Sequence, residues 1–160
     1  MSTHRPRRLN LGSGNTLLHG YINVDIVPGE GVTVADLRQV WPWETSSVDE
    51  IRASHIIEHL PDKIHTMNEL WRVLAPGAHA SISVPTTDGP AAWQDPTHVS
   101  YWNLRSFGYY ESGNPYREAY AERYGISASF AIVHQRMQMT VDGPILHIVL
   151  AAIKPVEPES

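Results

Sequence analysis

Short bursts of apolar residues, separated by glycine and proline, set the pattern of the first half of this chain. Arg8-Leu9-Asn10-Leu11 predicts a first strand, broken by Gly12-Ser13-Gly14. Tyr21 to Ile26, rich in aromatic and β-branched residues, predicts a second. Val27-Pro28-Gly29-Glu30-Gly31 is a turn, and Val32 to Ala35 is a short third strand ending at Asp36. Trp41-Pro42-Trp43 with Ser46-Ser47 forms an irregular connection, after which Val48 to Ser54 predicts a fourth strand.

The period then changes. Asp62 is placed to cap a helix in which Ile64, Met67, Leu70, Trp71 and Leu74 recur at helical spacing, with Pro76-Gly77 ending the pattern. Ala78 to Val84 predicts a fifth strand, stopped by Pro85. From Thr86 to Tyr124 the chain is rich in proline, glycine and aromatic residues, too long for an idle loop and expected to be functional or a lid. Ile126 to Val141 and Ile145 to Ile153 flank the turn signal Asp142-Gly143-Pro144 and predict an antiparallel β-hairpin.

This order predicts an α/β fold, a mostly parallel sheet with a C-terminal antiparallel hairpin and its site at the carboxyl ends of the strands. Parallel strands ordinarily need a crossover of about a dozen residues. Only Gly14 to Gly20 separates the first two runs, and only Val27 to Gly31 the next two, so the first crossover helices are expected to be shortened or missing. An antiparallel pairing of the second and third strands stays open. Either way part of the sheet lacks cover, to be supplied by the Thr86–Tyr124 segment or by a second subunit in a homodimer.

Composition narrows the setting. A chain of 160 residues with 42% hydrophobic and 18% charged residues fits one globular domain, residues 1–160, with 1–7 and 154–160 expected as flexible tails. No run approaches the roughly 18 apolar residues that cross a bilayer, and MSTHRPRR has no apolar stretch after its basic residues. Cysteine is absent, which excludes disulfides, thiolate zinc sites and cysteine nucleophiles. A soluble, cytoplasmic protein is expected. The net charge of −5 argues against nucleic acid as the main partner, and the basic run His4, Arg5, Arg7, Arg8 fits a solvated tail.

Three uses compete for Gly12-Ser13-Gly14. A P-loop needs a lysine that does not follow, and a dinucleotide fold needs a third glycine where this chain has Leu17. Asp25 also comes too early for the dinucleotide ribose position. A plain turn remains.

The surrounding phrases LNLGSG, GYINVDI, ADL, ASHIIEHL and ELWRVLAPGA, in that order over Leu9 to Val84, resemble the class I S-adenosylmethionine-dependent methyltransferases. The resemblance implies a Rossmann-like fold and S-adenosyl-L-methionine as cofactor. It implies close backbone approach at Gly12, Ser13 and Gly14, and an acceptor pair for the ribose hydroxyls at Asp25, next to Ile26. It further implies an acceptor near the adenine amino group at Asp36, with Leu37 packing on the ring, and contact of Ser54 and His55 with the methionine moiety. Asn10 stands where the family often has an acidic residue, so it accepts a hydrogen bond but offers no charge to the cofactor's ammonium. Without the resemblance, Asp25 and Asp36 are equally turn or cap aspartates.

Nine histidines raise a metal question. His55-Ile56-Ile57-Glu58-His59 matches HxxEH, which on a helix binds zinc through both histidines with the glutamate as base. The strand-like VDEIRA before it and Pro61 after it leave that helix no length, and neither Glu111 nor Glu118 is marked as a third ligand, so no metal is expected. The resemblance instead implies that EHL lines the pocket beside the transferable methyl group. Glu58 or His59 would orient a substrate there, or His59 would cap local backbone.

A second polar cluster runs from Trp93 to Trp102, where Asp95 and His98 are spaced for an acid/base pair. His98 is the first candidate base and His59 the second. Trp93, Tyr101 and Trp102 form either a stacking wall for a sugar or aromatic ring, or an ordered loop that covers the sheet. His19, His65, His79, His134 and His147 are taken as structural. The expected activity is methyl transfer to a small-molecule or carbohydrate acceptor. Its rivals are a non-catalytic methyltransferase-fold binding or assembly module and, less favoured, an HxxEH zinc hydrolase.

Overall fold

A computed structural model describes residues 5–156, so His4 of the basic run and residues 157–160 of the expected tail lie outside the described residues. Its strands are β1 Arg8–Leu11, β2 Ile22–Asp25, β3 Val32–Val34, β4 Val48–Ser54, β5 Leu74–Pro85, β6 Phe130–Thr140 and β7 Gly143–Ala152. They form one seven-stranded sheet in the order β3-β2-β1-β4-β5-β7-β6. Strands β1 to β5 pair in parallel, while β7 runs antiparallel to β5 and to β6. This is the mostly parallel sheet with an antiparallel C-terminal hairpin that the pattern predicts.

Strands β2 and β3 are parallel, with Asn23 opposite Val32 and Asp25 opposite Val34, which closes the antiparallel alternative. Their shortness makes the helix-free crossover possible. A paired stretch of about 10 Å or less, at about 3.3 Å per residue, can be retraced by a few extended residues. Residues 12–21 and 26–31 make these returns without any helix.

Side chains hold the first return in place. The Asn10 amide donates to the Thr16 carbonyl and to Asn23 Oδ1, each at 2.9 Å. Asn23 Oδ1 also accepts from the Leu18 amide at 2.8 Å, and Asn23 Nδ2 donates back to the Leu18 carbonyl at 3.2 Å. Two buried asparagines thus satisfy backbone groups that a helix would have paired internally.

Strand alternation builds the core on one face. Leu9, Ile51, Ala80 and Leu150 lie in one cross-strand row, and Leu11, Ala53, Ile82 and Ile148 in the next, all buried. Each large side chain contributes roughly 1.5–3 kcal/mol on burial. Helix α1, Lys63–Val73, lays Met67, Leu70 and Val73 into the same cluster. It starts where expected, with the Asp62 carboxylate accepting from the His65 amide at 2.9 Å. It stops before Leu74, which already pairs with Val48, so β5 begins earlier than Ala78.

The segment after β5 is not one irregular lid. It holds α2 Ala91–Gln94, α3 Leu104–Gly108 and α4 Pro115–Tyr124. Trp102, Phe107 and Tyr110 enter the core that α1 covers. Trp102 is completely buried, so it belongs to the core and not to a ligand-stacking wall. On the other face of the sheet Arg52, Ser54, His79, His134 and Arg136 stand exposed. Polar side chains, not the Thr86–Tyr124 segment, make that face compatible with water. No helix among the described residues is long and apolar enough to cross a membrane.

Candidate functional site

The carboxyl ends of β1 and β2 are fused by one hydrogen bond. Gly14 N donates to Asp25 Oδ2 at 2.8 Å, and Asp25 Oδ1 accepts from Val27 N at 2.9 Å. The turn that brings Gly14 there requires glycine at its first position. Gly12 has φ +63°, and a Cβ on it would stand 2.6 Å from Ile56 Cγ1. Ser13 is buried, its amide bonded to the Val24 carbonyl at 2.9 Å and its hydroxyl without a partner in the protein.

Beyond this turn lies a cavity of about 200 Å³ lined by Gly12, Asp25, Ile26, Asp36, Leu37 and His59, with Ile56, Leu60, Ala35 and Arg38 completing the wall. Five of the residues marked for a cofactor therefore share one cavity. Ser13 and Gly14 belong to its turn. Asn10, Ser54 and His55 do not line it: Asn10 is occupied with Thr16 and Asn23, and Ser54 ends β4 exposed on the polar face. A larger cavity, about 630 Å³ among Pro61, Lys63, Tyr109, Tyr110 and Tyr124, holds none of the marked residues.

Arg38 is a participant the sequence did not announce. Its guanidinium forks onto Asp36, Nε to Oδ1 at 2.8 Å and Nη2 to Oδ2 at 2.9 Å. That pairing and the Arg38 amide hold the Asp36 pKa below the usual carboxylate range. The Asp-x-Arg spacing was its only signal.

The far wall is built by two loops locked together. A 3-10 turn, Ile57–His59, follows β4, and His55 before it takes a left-handed φ of +53°. The Glu58 carbonyl accepts from Val99 N at 2.9 Å and Ser100 N at 3.1 Å, while Ser100 Oγ donates to the Ile57 carbonyl at 3.0 Å. This pairing brings His98 against His59, their ring centroids 4.9 Å apart. His59 Nδ1 meets the Thr97 carbonyl at 3.2 Å, and His98 Nδ1 meets the Ala92 carbonyl at 3.1 Å. A carbonyl only accepts, and the Thr97 hydroxyl, 3.1 Å from His59 Nδ1, gives its own proton to Asp95 Oδ1, so both Nδ1 atoms carry the proton and the lone pairs of the neutral rings lie on Nε2.

Asp95 Oδ2 stands 3.7 Å from His98 Nε2, too far for a hydrogen bond and an ion pair only when that ring is protonated. Two hydrogen bonds from Thr97 lower the Asp95 pKa. Trp93 and Tyr101 stack at 4.3 Å nearby. The Glu58 side chain is 2% exposed, and its carboxylate makes no hydrogen bond. His55 Nδ1 lies 3.5 Å from its Oε1, too far for a good bond but close enough for the carboxylate to raise the His55 pKa against the opposing effect of burial.

Residues 12–82 match a family model described as a methyltransferase domain. No curated protein matches the sequence. Among solved structures the chain is similar to one in the complex of the Haloferax volcanii Trm112 methyltransferase activator with a methyltransferase, with TM-score 0.62, 16% identity, and 94% of this chain and 84% of that one covered. It is similar to the N-methyltransferase NodS from Bradyrhizobium japonicum, with TM-score 0.60, 15% identity, and 93% and 86% covered. It is also similar to the Burkholderia thailandensis 1,6-didemethyltoxoflavin-N1-methyltransferase, solved with 1,6-didemethyltoxoflavin and S-adenosylhomocysteine, with TM-score 0.61, 14% identity, and 94% and 72% covered.

Proposed function

We propose that this chain, whose fold is that of the class I S-adenosylmethionine-dependent methyltransferases, binds that cofactor in the cavity beyond the glycine turn and methylates a small-molecule acceptor. The observation that carries the reading is the convergence of Gly12, Asp25, Ile26, Asp36 and Leu37 on one cavity.

The donor set suits the cofactor. Each Asp25 oxygen accepts one backbone amide and keeps a lone pair for a ribose hydroxyl. Asp36, although forked by Arg38, keeps acceptor capacity for an adenine amino group, and Leu37 offers an apolar surface to the ring. Carboxylates without a phosphate-binding lysine fit a ligand that is cationic and carries no phosphate. When bound, S-adenosylmethionine supplies a methyl group on a sulfonium, a leaving group that needs no activation.

The chain's own task is then alignment and proton handling. His59 lines the cavity and His98 packs against it, with Asp95 3.7 Å from His98 Nε2, so their unprotonated Nε2 atoms are suited to take a proton from an acceptor hydroxyl or amine. His98 is the first candidate base and His59 the second. The stacked Trp93 and Tyr101 offer a flat apolar surface to an aromatic or sugar ring.

Calorimetric titration of S-adenosylhomocysteine into chelator-treated protein tests the reading, with Asp25→Ala as the comparison. Binding by the wild type that weakens sharply in the variant supports it. A folded wild type that does not bind would leave a methyltransferase-fold binding or assembly module, the reading that the helix-free crossovers favour.

A further inference from the structure

The structure assigns a divalent metal site to Glu58, His59 and His98. These residues each present one ligating atom, and the three atoms lie within 4.8 Å of one another. Two imidazole nitrogens and a carboxylate oxygen are the donor set of open zinc and non-haem iron centres.

Three independent features point the same way. Glu58 is the first: a side chain 2% exposed, with both carboxylate oxygens unsatisfied. Burying such a charge without hydrogen bonds is costly, and His55 at 3.5 Å is a partial remedy. A dication among the three side chains would neutralise it. The tautomers are the second feature. Both histidines give their Nδ1 proton to a backbone carbonyl, Thr97 for His59 and Ala92 for His98, the arrangement that fixes Nε2 as a metal ligand. The third is rigidity: the Glu58 carbonyl and Ser100 hydroxyl bonds pin the two loops that carry the ligands. Around a tetrahedral cation at about 2.1 Å, ligand atoms stand about 3.4 Å apart, so side-chain rotations that draw the three atoms together would seat the cation and leave its fourth position open.

His59 also lines the cofactor cavity, so the metal would share a wall with it. The inference deepens the proposed methyl transfer. In metal-bound protein the two histidines hold the cation, and an acceptor oxygen on an open position of the metal is oriented and made more acidic there. In metal-free protein they remain bases. Metal binding is read without the cofactor, so its failure leaves the methyl-transfer reading standing, and failure of cofactor binding leaves the metal site standing.

The test uses the full chain without an affinity tag, stripped with chelator and titrated calorimetrically with zinc, with cobalt absorption in the visible as a second readout. Glu58→Gln, His98→Ala and the exposed control His134→Ala are compared. The expected result is one zinc per chain, weakened about tenfold or more by Glu58→Gln and by His98→Ala, and unchanged in His134→Ala. Melting adds a readout of opposite sign. Glu58→Gln raises the melting temperature of the metal-free protein, because a buried charge without hydrogen bonds is gone, yet abolishes the rise that zinc gives the wild type. Zinc binding that is absent in the folded wild type, or equally strong in Glu58→Gln, overturns the proposal.

Discussion

The amide of Gly14 donates to the carboxylate of Asp25 at 2.8 Å, so the turn after β1 and the acidic end of β2 form a single unit. Asp25 thus has a structural role that exists before any ligand arrives. Replacing it by alanine leaves two amides, Gly14 and Val27, without their charged acceptor. Both bonds are exposed to water, which limits the loss to about 1–2 kcal/mol. Urea unfolding without ligand measures this. An unchanged midpoint in Asp25→Ala would mean that Asp25 serves ligand binding alone.

A second prediction concerns Gly12 and Ile56. Gly12→Ala places a Cβ 2.6 Å from Ile56 Cγ1 in a backbone of φ +63°. The clash and the left-handed conformation both oppose folding, and together they are expected to cost about 3 kcal/mol. Ile56→Ala added to Gly12→Ala removes the clash but not the backbone strain. The double variant is therefore expected to be more stable than the sum of the two single losses by about 1 kcal/mol or more. Additive losses in thermal or urea unfolding would show that the steric contact does not govern this position.

Much of this architecture was legible from residue pattern, because the elements that pattern predicts best are the ones that bury a regular stripe. Helix α1 was readable from Asp62 and from Met67 and Leu70, and the β6–β7 hairpin from its central turn. Helix α4 was not, since none of its residues is buried and it has no apolar stripe to detect. Its signals were chemical instead: Asn114 accepts from Tyr116 N, Pro115 opens the helix, and Gly125 closes it in a left-handed conformation. The parallel β2–β3 pair could not be read from spacing, because the usual crossover length assumes longer strands than these. At the candidate site, the order of the phrases and the resemblance they carry pointed to Asp25, Asp36 and His59, which residue identity alone left as turn, cap or structural residues, and neither pointed to the Arg38 fork on Asp36. The closeness of Glu58 to His98 also stayed hidden, because it depends on two loops far apart in sequence.

Asn23 carries a third prediction. Its side chain serves Asn10 and both backbone groups of Leu18, in place of a helix. Asn23→Leu keeps the branched shape while leaving both Leu18 backbone groups unpaired and the Asn10 amide with Thr16 alone, at an expected cost of about 2–4 kcal/mol. Asn23→Asp keeps the acceptor and loses the donor to Leu18, so it is expected to fall between the wild type and the leucine variant. If the leucine variant unfolds at the wild-type urea concentration, the asparagine pair does not hold the crossover.

The last prediction is a pH dependence set by Glu69 on α1. Its carboxylate takes Arg72 Nε at 2.7 Å, Arg72 Nη2 at 2.8 Å and the Trp41 amide at 2.8 Å. Arg72 in turn reaches the Trp41 and Trp43 carbonyls, so this pair ties the irregular connection before β4 to the helix. Burial pushes the Glu69 pKa up, but the Arg72 and Trp41 hydrogen bonds outweigh it, and the net shift is downward from 4.5. A carboxylate whose pKa is lower in the folded state stabilises that state fully above its unfolded pKa. The contribution disappears as pH falls through the folded value. Glu69→Gln is therefore expected to be less stable than the wild type by about 2 kcal/mol at pH 7. The gap should narrow steadily below about pH 4.5 as the wild-type carboxylate protonates. Urea unfolding of both proteins at pH 7 and at successive steps down to pH 3 measures it. A gap that stays constant over this range would mean that Glu69 acts through shape and not through charge.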